Sequence, residues 1–395
     1  MEQEKVIWLN GNQKQTSYLA IGSETELEVW EEKGAFEKAT KFLDANEQEY
    51  VFGWFGYDLK NDIENLYSEN PSWVNVPLIF LMKPMHLARI KGSELNVLKG
   101  DEATIRQTLN RLLEKSPTIP NSINLHSTLT EADYLKKIRT IKEHIHRGDI
   151  YEANFCYEFK GEGEIDPKEV YHRMNELTKA PFSVYADIGS LSVLSASPER
   201  FVKKKGSRVF TQPIKGTLKR GSSEEEDKQL IEQLRNSRKD RSENIMIVDL
   251  VRNDLSRIAE PRSVQVEELC EVYTFENIHQ MISTVSAEVK HKHPIEIMKA
   301  LFPMGSMTGA PKIRAMEIIE ELEESRRGLY SGCIGYFTPN GDFDFNVVIR
   351  TILYDKKAKR LSFSVGGAIT DLSEPEEEYE ETLLKAKALI EALKA

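Results

Sequence analysis

The chain has 395 residues, 40% of them hydrophobic and 30% charged, with a formal net charge of −11. These values suit a well-buried soluble protein of one large domain or two or three smaller ones, and they exclude a broad basic footprint for nucleic acid. A small anion is still allowed, because a local cluster of Arg, Lys and helix N-termini can hold one inside an acidic protein. The three cysteines, Cys156, Cys270 and Cys333, are too widely spaced for a disulfide framework or a zinc site, which points to a reducing compartment. The opening residues carry no apolar signal region, and no apolar run approaches the roughly 18–20 residues of a membrane span.

In chain order, Trp8, Trp30, Trp54 and Trp73 crowd into the N-terminal part and read as aromatic core filling. "YVFGWFGYDLKNDIENL" predicts a strand, a Gly-marked turn and a helix start. "WVNVPLIFLM" predicts a buried strand, and "HLARIKGSELNVLKG" a hairpin. Residues Asp101 to Leu113 have a helical pattern. "EKSPTIPNSINLHSTLT" is aperiodic and reads as the best linker in the chain. Thr130 and Asp133 form a capping box that opens a helix with a Tyr134, Ile138, Ile141, Ile145 stripe and a Gly148 cap. Strands follow in quick succession in "DIYEANFCYEFKGEG", "FSVYADIG", "LSVLSASPERFV" and "RVFTQPIKGT", with a helix near "PKEVYHRMNELTKA". The charged run from Glu224 to Ile258 reads as one long helical region. In the last third come a helix ending before Pro303, a Gly loop leading into a helix near Pro311, and a hairpin around Pro339–Asp342. A strand in "RLSFSVGGAITD" then precedes a final helix capped by Ser373 with Glu376. Strands joined both by hairpins and by helices argue for an α+β fold with large antiparallel sheets.

Several residues could carry chemistry. Lys215 stands between Pro213-Ile214 and Gly216-Thr217, and is either a solvated or ion-paired charge or a placed base or nucleophile. Glu199 precedes it, and the turn at Lys205-Gly206 could fold both into one cleft. Glu378 and Glu381 share a helix face. With Glu243 they would suit a hard cation such as Mg²⁺, or simply form a solvated surface. "GSMTGAPK" could bind an anion at a helix start or be an ordinary tight turn. Arg350, in the apolar "FNVVIRTI", needs a partner, which could be a core acid or a ligand carboxylate. Gly366-Gly367 permits close approach of a planar or anionic group.

The ordered series "GDIYEANF", "SPERF", "PIKGT", "RSENIMIVDLVRNDL", "GSMTGAPKIRAMEII", "GCIGYF", "VVIRT", "VGGAITD" and "EEEYEETLLKA" resembles the chorismate-utilising enzymes, strongly from Thr130 to Ala395 and more thinly before. The resemblance implies two large facing antiparallel β-sheets with helices on the outside, as in anthranilate synthase component I. Residues 1–120 would form an N-terminal region packed into the main fold, and 121–395 the chorismate-binding catalytic domain. It implies Mg²⁺ held by Glu243 and Glu381 with Glu378 close by. Thr308, Tyr336, Arg350, Gly366 and Gly367 would surround substrate carboxylates, and Glu199 would help the C4 hydroxyl leave. Lys215 matches the residue that separates the 4-aminating branch from anthranilate synthases, which usually have Ala there. The expected reaction is therefore amination of chorismate at C4 to 4-amino-4-deoxychorismate, on the way to 4-aminobenzoate and folate. Anthranilate, isochorismate or salicylate synthesis, or a degenerate scaffold that binds a glutaminase, are the alternatives. Gln280 stands where the family usually has His, and His279 lies one residue off. A separate class I glutamine amidotransferase subunit, a downstream aminodeoxychorismate lyase and a cytoplasmic setting are also implied. The family often has a tryptophan-binding pocket near the N-terminus.

Overall fold

The computed structural model describes residues 4–12, 15–114, 123–276 and 278–394. Its strands open with β1 (Val6–Asn10), β2 (Ser17–Val29), β3 (Val51–Phe55), β4 (Ile79–Lys91), β5 (Glu94–Lys99) and β6 (Asn124–Ser127). Next come β7 (Glu152–Glu162), β8 (Phe182–Asp187), β9 (Leu191–Ser197), β10 (Arg200–Lys205), β11 (Arg208–Gln212) and β12 (Ile214–Lys219). The last are β13 (Gln265–Thr274), β14 (Ile278–Glu288), β15 (Gly309–Ala310), β16 (Cys333–Phe337), β17 (Phe343–Asn346), β18 (Thr351–Asp355) and β19 (Arg360–Ile369). The helices are α1 (Ala35–Ala45), α2 (Lys60–Ile63), α3 (Glu102–Leu113), α4 (Glu131–Arg147) and α5 (Pro167–Thr178). They continue with α6 (Glu224–Asn236), α7 (Arg238–Ser256), α8 (Pro294–Leu301), α9 (Lys312–Leu322) and α10 (Pro375–Leu393).

Every strand pairing is antiparallel. One half runs β13–β14–β11–β10–β17–β16–β3–β4, the other β2–β1–β8–β9–β18–β19–β7, and the β2–β4 pairing joins them. The period-2 alternation of strands explains how the halves face each other. Ile7, Ala20, Phe52, Trp54, Phe80, Met82 and Val193 meet in one core between them. Their sequence neighbours Trp8, Leu19 and Leu194 point out to the helices α3, α4, α5 and α10, and Val51, Phe55 and Leu81 to α1, α7 and α8. The result is two facing antiparallel layers with helices outside.

Several local expectations change. The charged run is two helices rather than one, because Ser237 is extended (ψ 115°) and its hydroxyl accepts from the Asp240 N–H, which opens α7. The last helix opens at Glu374 and Pro375 rather than at Ser373, whose hydroxyl accepts from the Thr370 N–H instead. Part of the expected linker is β6, paired with β7, and its residues 115–122 lie outside the described residues. Trp54 is fully buried and stacks on Phe80 at 4.7 Å, whereas Trp30 is exposed and fills no core. The α4 reading holds: Thr130 accepts from Asp133 N–H and Gly148 closes the helix at φ 81°.

A buried ion pair fastens β7 to the loop before α9. Arg327 donates to both oxygens of Glu323, to the carbonyl of Met307 at 2.7 Å and to that of Asn154 at 2.6 Å. Glu323 in turn accepts from the Cys156 N–H. The Arg327 guanidinium also lies over the Tyr57 ring, 4.5 Å from its centroid. Replacing Arg327 with Met would strand the buried Glu323 charge and two carbonyls. The expected loss is about 3–5 kcal/mol of stability, to be read by calorimetric unfolding; an unchanged melting curve would show that the pair is not a structural anchor.

Candidate active site

The cleft is assembled from the β9–β10 junction, β12, the first turns of α7, the start of β7, the 305–308 loop, β19 and α10. Lys215 reaches it because β12 is bulged. The register with β14 runs Ile214↔Ile282 and then Thr217↔Gln280, so Lys215 and Gly216 together oppose a single residue. Gly216 has φ 80°, and a Cβ there would lie 2.8 Å from Asp240 and 2.9 Å from Leu234. Glycine therefore supplies the left-handed residue of the bulge, which re-aims the lysine. The ammonium is nearly out of contact with water and lies 3.0 Å from Oε1 of Glu152. Burial alone would lower the Lys215 pKa, but the charges of Glu152, Glu243 and Glu199 outweigh it and hold the value above that of an ordinary lysine. In the resting site Lys215 is thus a cation.

Glu199 and Lys215 share this cleft through the β10–β11 hairpin. Burial pushes the Glu199 carboxyl up to about 7, against the opposing effects of a Ser306 hydrogen bond, the Lys215 charge, the Ile214 N–H and Arg350. Ser306 Oγ donates to Glu199 Oε1 at 3.0 Å. Half-protonated near neutrality, Glu199 has the state a general acid needs. Arg350 lies just before β18, not within a strand, in a left-handed conformation (φ 51°). Its backbone carbonyl accepts from Ala196 N–H. Burial depresses its pKa while the charge of Glu199 raises it. Among the described residues no protein carboxylate pairs with its side chain, which leaves it available to an anionic ligand.

The acids on the other wall are partly engaged. Burial raises Glu243 to about 7, and its Oε1 has no hydrogen-bond partner among the described residues. Lys239 donates to Glu378 at 2.8 Å, and Lys385 to Glu381 at the same distance. The charge of Lys385, against burial, lowers the Glu381 pKa. Among the described residues no three His, Cys, Asp or Glu side chains converge as a ready metal cluster. The orphaned, buried Glu243 oxygen and the all-oxygen donor set nevertheless suit a hard divalent cation.

The remaining expected residues divide. Gly367 faces these acids: a Cβ there would lie 3.3 Å from Glu378 and 3.7 Å from Lys385. Gly366, inside β19, packs on the Phe155 backbone, and its carbonyl accepts from Lys385. Gln280 is buried opposite Thr217, with 3.5 Å between its Nε2 and the threonine hydroxyl. His279 points to the opposite face and bonds Thr274 and Asp227. Thr308 is buried, but its hydroxyl is used within the loop, donating to Gly305 O at 3.1 Å. Tyr336 is elsewhere. Its ring meets that of Tyr18 at a tilt, with centroids 4.5 Å apart, and it lines a separate cavity of about 720 Å³ with Tyr18, Tyr50, Arg89 and Lys204. None of Lys215, Glu199 or Glu243 lines that cavity, so the role expected for Tyr336 beside the substrate does not follow from its position. Glu152, Ser306 and Lys239 were not singled out from sequence. Their motifs were visible, but polar contacts between residues so far apart in the chain leave no local pattern.

The model of the family described as chorismate binding enzyme matches residues 4–391. The chain belongs to the chorismate-binding enzyme family. Within it, aminodeoxychorismate synthase of Streptomyces griseus is 43% identical over 365 residues, covering 87% of this chain and 50% of that protein. The chain thus spans half the length of this relative. Aminodeoxychorismate synthase component 1 of Klebsiella aerogenes is 36% identical, covering 87% of this chain and 77% of its own. The crystal structure of anthranilate synthase component I from Streptococcus pneumoniae superposes with a TM-score of 0.82 at 25% identity, covering 95% of this chain and 92% of that one. The resemblance read from the ordered motifs is therefore a family membership, and the fold is that of the family.

A buried carboxyl with a raised pKa has a stability signature. Glu199 ionises near 4.5 when unfolded and about 7 when folded, so its favourable contribution is complete below pH 4.5 and lost as pH rises through 7. Glu199→Gln is expected to stabilise the protein by roughly 3 kcal/mol at pH 8 and to lose this advantage below pH 4.5. Denaturant unfolding at both pH values checks this; equal stabilities at pH 8 would remove the buried-acid account.

Proposed function

We propose that this protein aminates chorismate at C4 with ammonia, giving 4-amino-4-deoxychorismate, as component I of an aminodeoxychorismate synthase. The observation that carries this reading is the buried Lys215 amine aimed by a bulge into the cleft of Glu199. An acid and an amine at one site support substitution in two stages. Nζ of Lys215 bonds C2 of chorismate, the two ring π pairs shift to C1–C6 and C4–C5, and the C4–O bond breaks. Glu199 gives its proton so that the hydroxyl departs as water. Ammonia then bonds C4, the π pairs shift back and the C2–Nζ bond breaks. The proton shed by the new C4 ammonium restores Glu199. Arg350, with no protein partner for its side chain, would hold a substrate carboxylate. Glu243, with Glu378 and Glu381 beside it, would hold a Mg²⁺ whose charge draws in and neutralises the C1 carboxylate.

The enolpyruvyl group survives this reaction, so a separate lyase would complete 4-aminobenzoate for folate synthesis. Ammonia would come from a separate class I glutamine amidotransferase. Three buried thiols without disulfides support a reducing, cytoplasmic setting, and no helix among the described residues is long and apolar enough to cross a membrane. Anthranilate synthesis is the second reading, favoured by the structural likeness to an anthranilate synthase component I.

Incubation with chorismate, Mg²⁺ and ammonia at high pH should yield 4-aminobenzoate only once an aminodeoxychorismate lyase is added. Anthranilate formed without lyase would overturn the assignment. Lys215→Ala should lower C4 amination by at least about a hundredfold, and an unchanged rate would remove the covalent role. Because Glu243 carries a proton below about 7, Mg²⁺ affinity should weaken about tenfold per pH unit below that value. Titration calorimetry would read this in the wild type, and Glu243→Gln should flatten the dependence. An identical pH dependence in the variant would exclude Glu243 as a ligand.

A further inference from the structure

We propose that Glu152 is a catalytic residue that takes the proton of Lys215 before the amine attacks and returns it when the amine departs. This rests on the C4-amination reading and supplies what that chemistry lacks, a base for a lysine that rests as a cation. Lys215 Nζ lies 3.0 Å from Glu152 Oε1, within direct proton-transfer distance. Glu152 is fully buried at the first residue of β7, and its Oε2 has no hydrogen-bond partner among the described residues.

The carboxylates acting on the ammonium come from four elements: Glu152 from β7, Glu199 from the β9–β10 junction, Glu243 from α7 and Glu381 from α10, the last already paired with Lys385. Glu199 is unsuited to accept this proton, because it must donate its own to the departing hydroxyl. Glu243 makes no hydrogen bond to Nζ among the described residues; Glu152 does. Substrate filling the cleft excludes water, and in that setting a neutral amine–acid pair comes closer in energy to the ion pair. The balance closes. One proton passes from Nζ to Glu152, and the freed electron pair forms the Nζ–C2 bond, leaving a secondary ammonium adduct. When ammonia has bonded C4, the C2–Nζ pair returns to nitrogen as a neutral amine, which recovers the proton from Glu152. No oxidant, reductant or extra reactant is consumed.

A static counter-charge would look alike at rest but respond oppositely to mutation. Glu152→Gln keeps the side-chain size and a hydrogen bond but cannot accept the proton. We expect kcat at pH 7.5 to fall about a hundredfold or more with KM for chorismate little changed, and the deficit to shrink as pH rises and hydroxide frees the amine. If Glu152 only stabilises the ammonium, the variant frees more amine and its rate at pH 7.5 equals or exceeds the wild type, which overturns the proposal. Should Glu152→Gln misfold, Glu152→Asp keeps the charge but draws the carboxylate back by one methylene. A lowered kcat at unchanged KM is then expected, and an unchanged kcat overturns the role. Wild type and Lys215→Ala are run alongside. An inactive wild type defeats the amination reading itself, and an active Lys215→Ala removes the covalent lysine on which the role of Glu152 rests; an active wild type, a dead Lys215→Ala and an active Glu152→Gln defeat only the role of Glu152.

Discussion

An ammonium group removed from water must be matched by carboxylates, and the cleft is organised around that requirement. Lys215 is answered from β7, α7, the β9–β10 junction and α10, so four elements distant in sequence meet around one side chain. The same principle governs the opposite wall, where Lys239 and Lys385 answer Glu378 and Glu381. Carboxylates and ammonium groups are interleaved across the whole floor.

Holding these elements in register falls to groups that do no chemistry. Arg327 grips the carbonyls of Asn154 and Met307, and Asn154 grips the backbone of Ser306 and Thr308. Ser306 then holds Glu199. A continuous chain of buried hydrogen bonds thus runs from the α9 side of the molecule to the acid. Lys312, ion-paired with Asp254 at 2.6 Å, pins the start of α9 to α7 in the same way. Preorganisation here is a property of the loops, and the sheets provide the frame to which the loops are tied.

Much of this was legible in the sequence, for identifiable reasons. Helix caps such as Thr130/Asp133 and the short apolar run "YVFGWF" before its Gly-marked turn are local, so the elements could be read in order. The Glu199 and Lys215 pairing followed from a two-residue turn. What escaped were contacts set by tertiary packing. Ser237 could as well have continued a helix, and only the packed structure turns it into a break. Arg350 reads as a strand residue until its left-handed backbone is seen. Tyr336 was named from the family resemblance alone, and from β16 its side chain lines the cavity beside Tyr18. Glu152 was hidden because an acid in a strand has no periodic signature; its partner lies on β12.

The bulge at Lys215-Gly216 has a consequence for how such proteins diversify. Ile214 and Thr217 are the ladder residues that hold β12 to β14, and positions 215 and 216 fall between them. The backbone path there is set by Gly216, not by the side chain at 215. Residue 215 is therefore an exchangeable slot: an alanine or a lysine can occupy it without shifting the strand by a step. The side chain at 215 can then change while the ladder and the core stay intact.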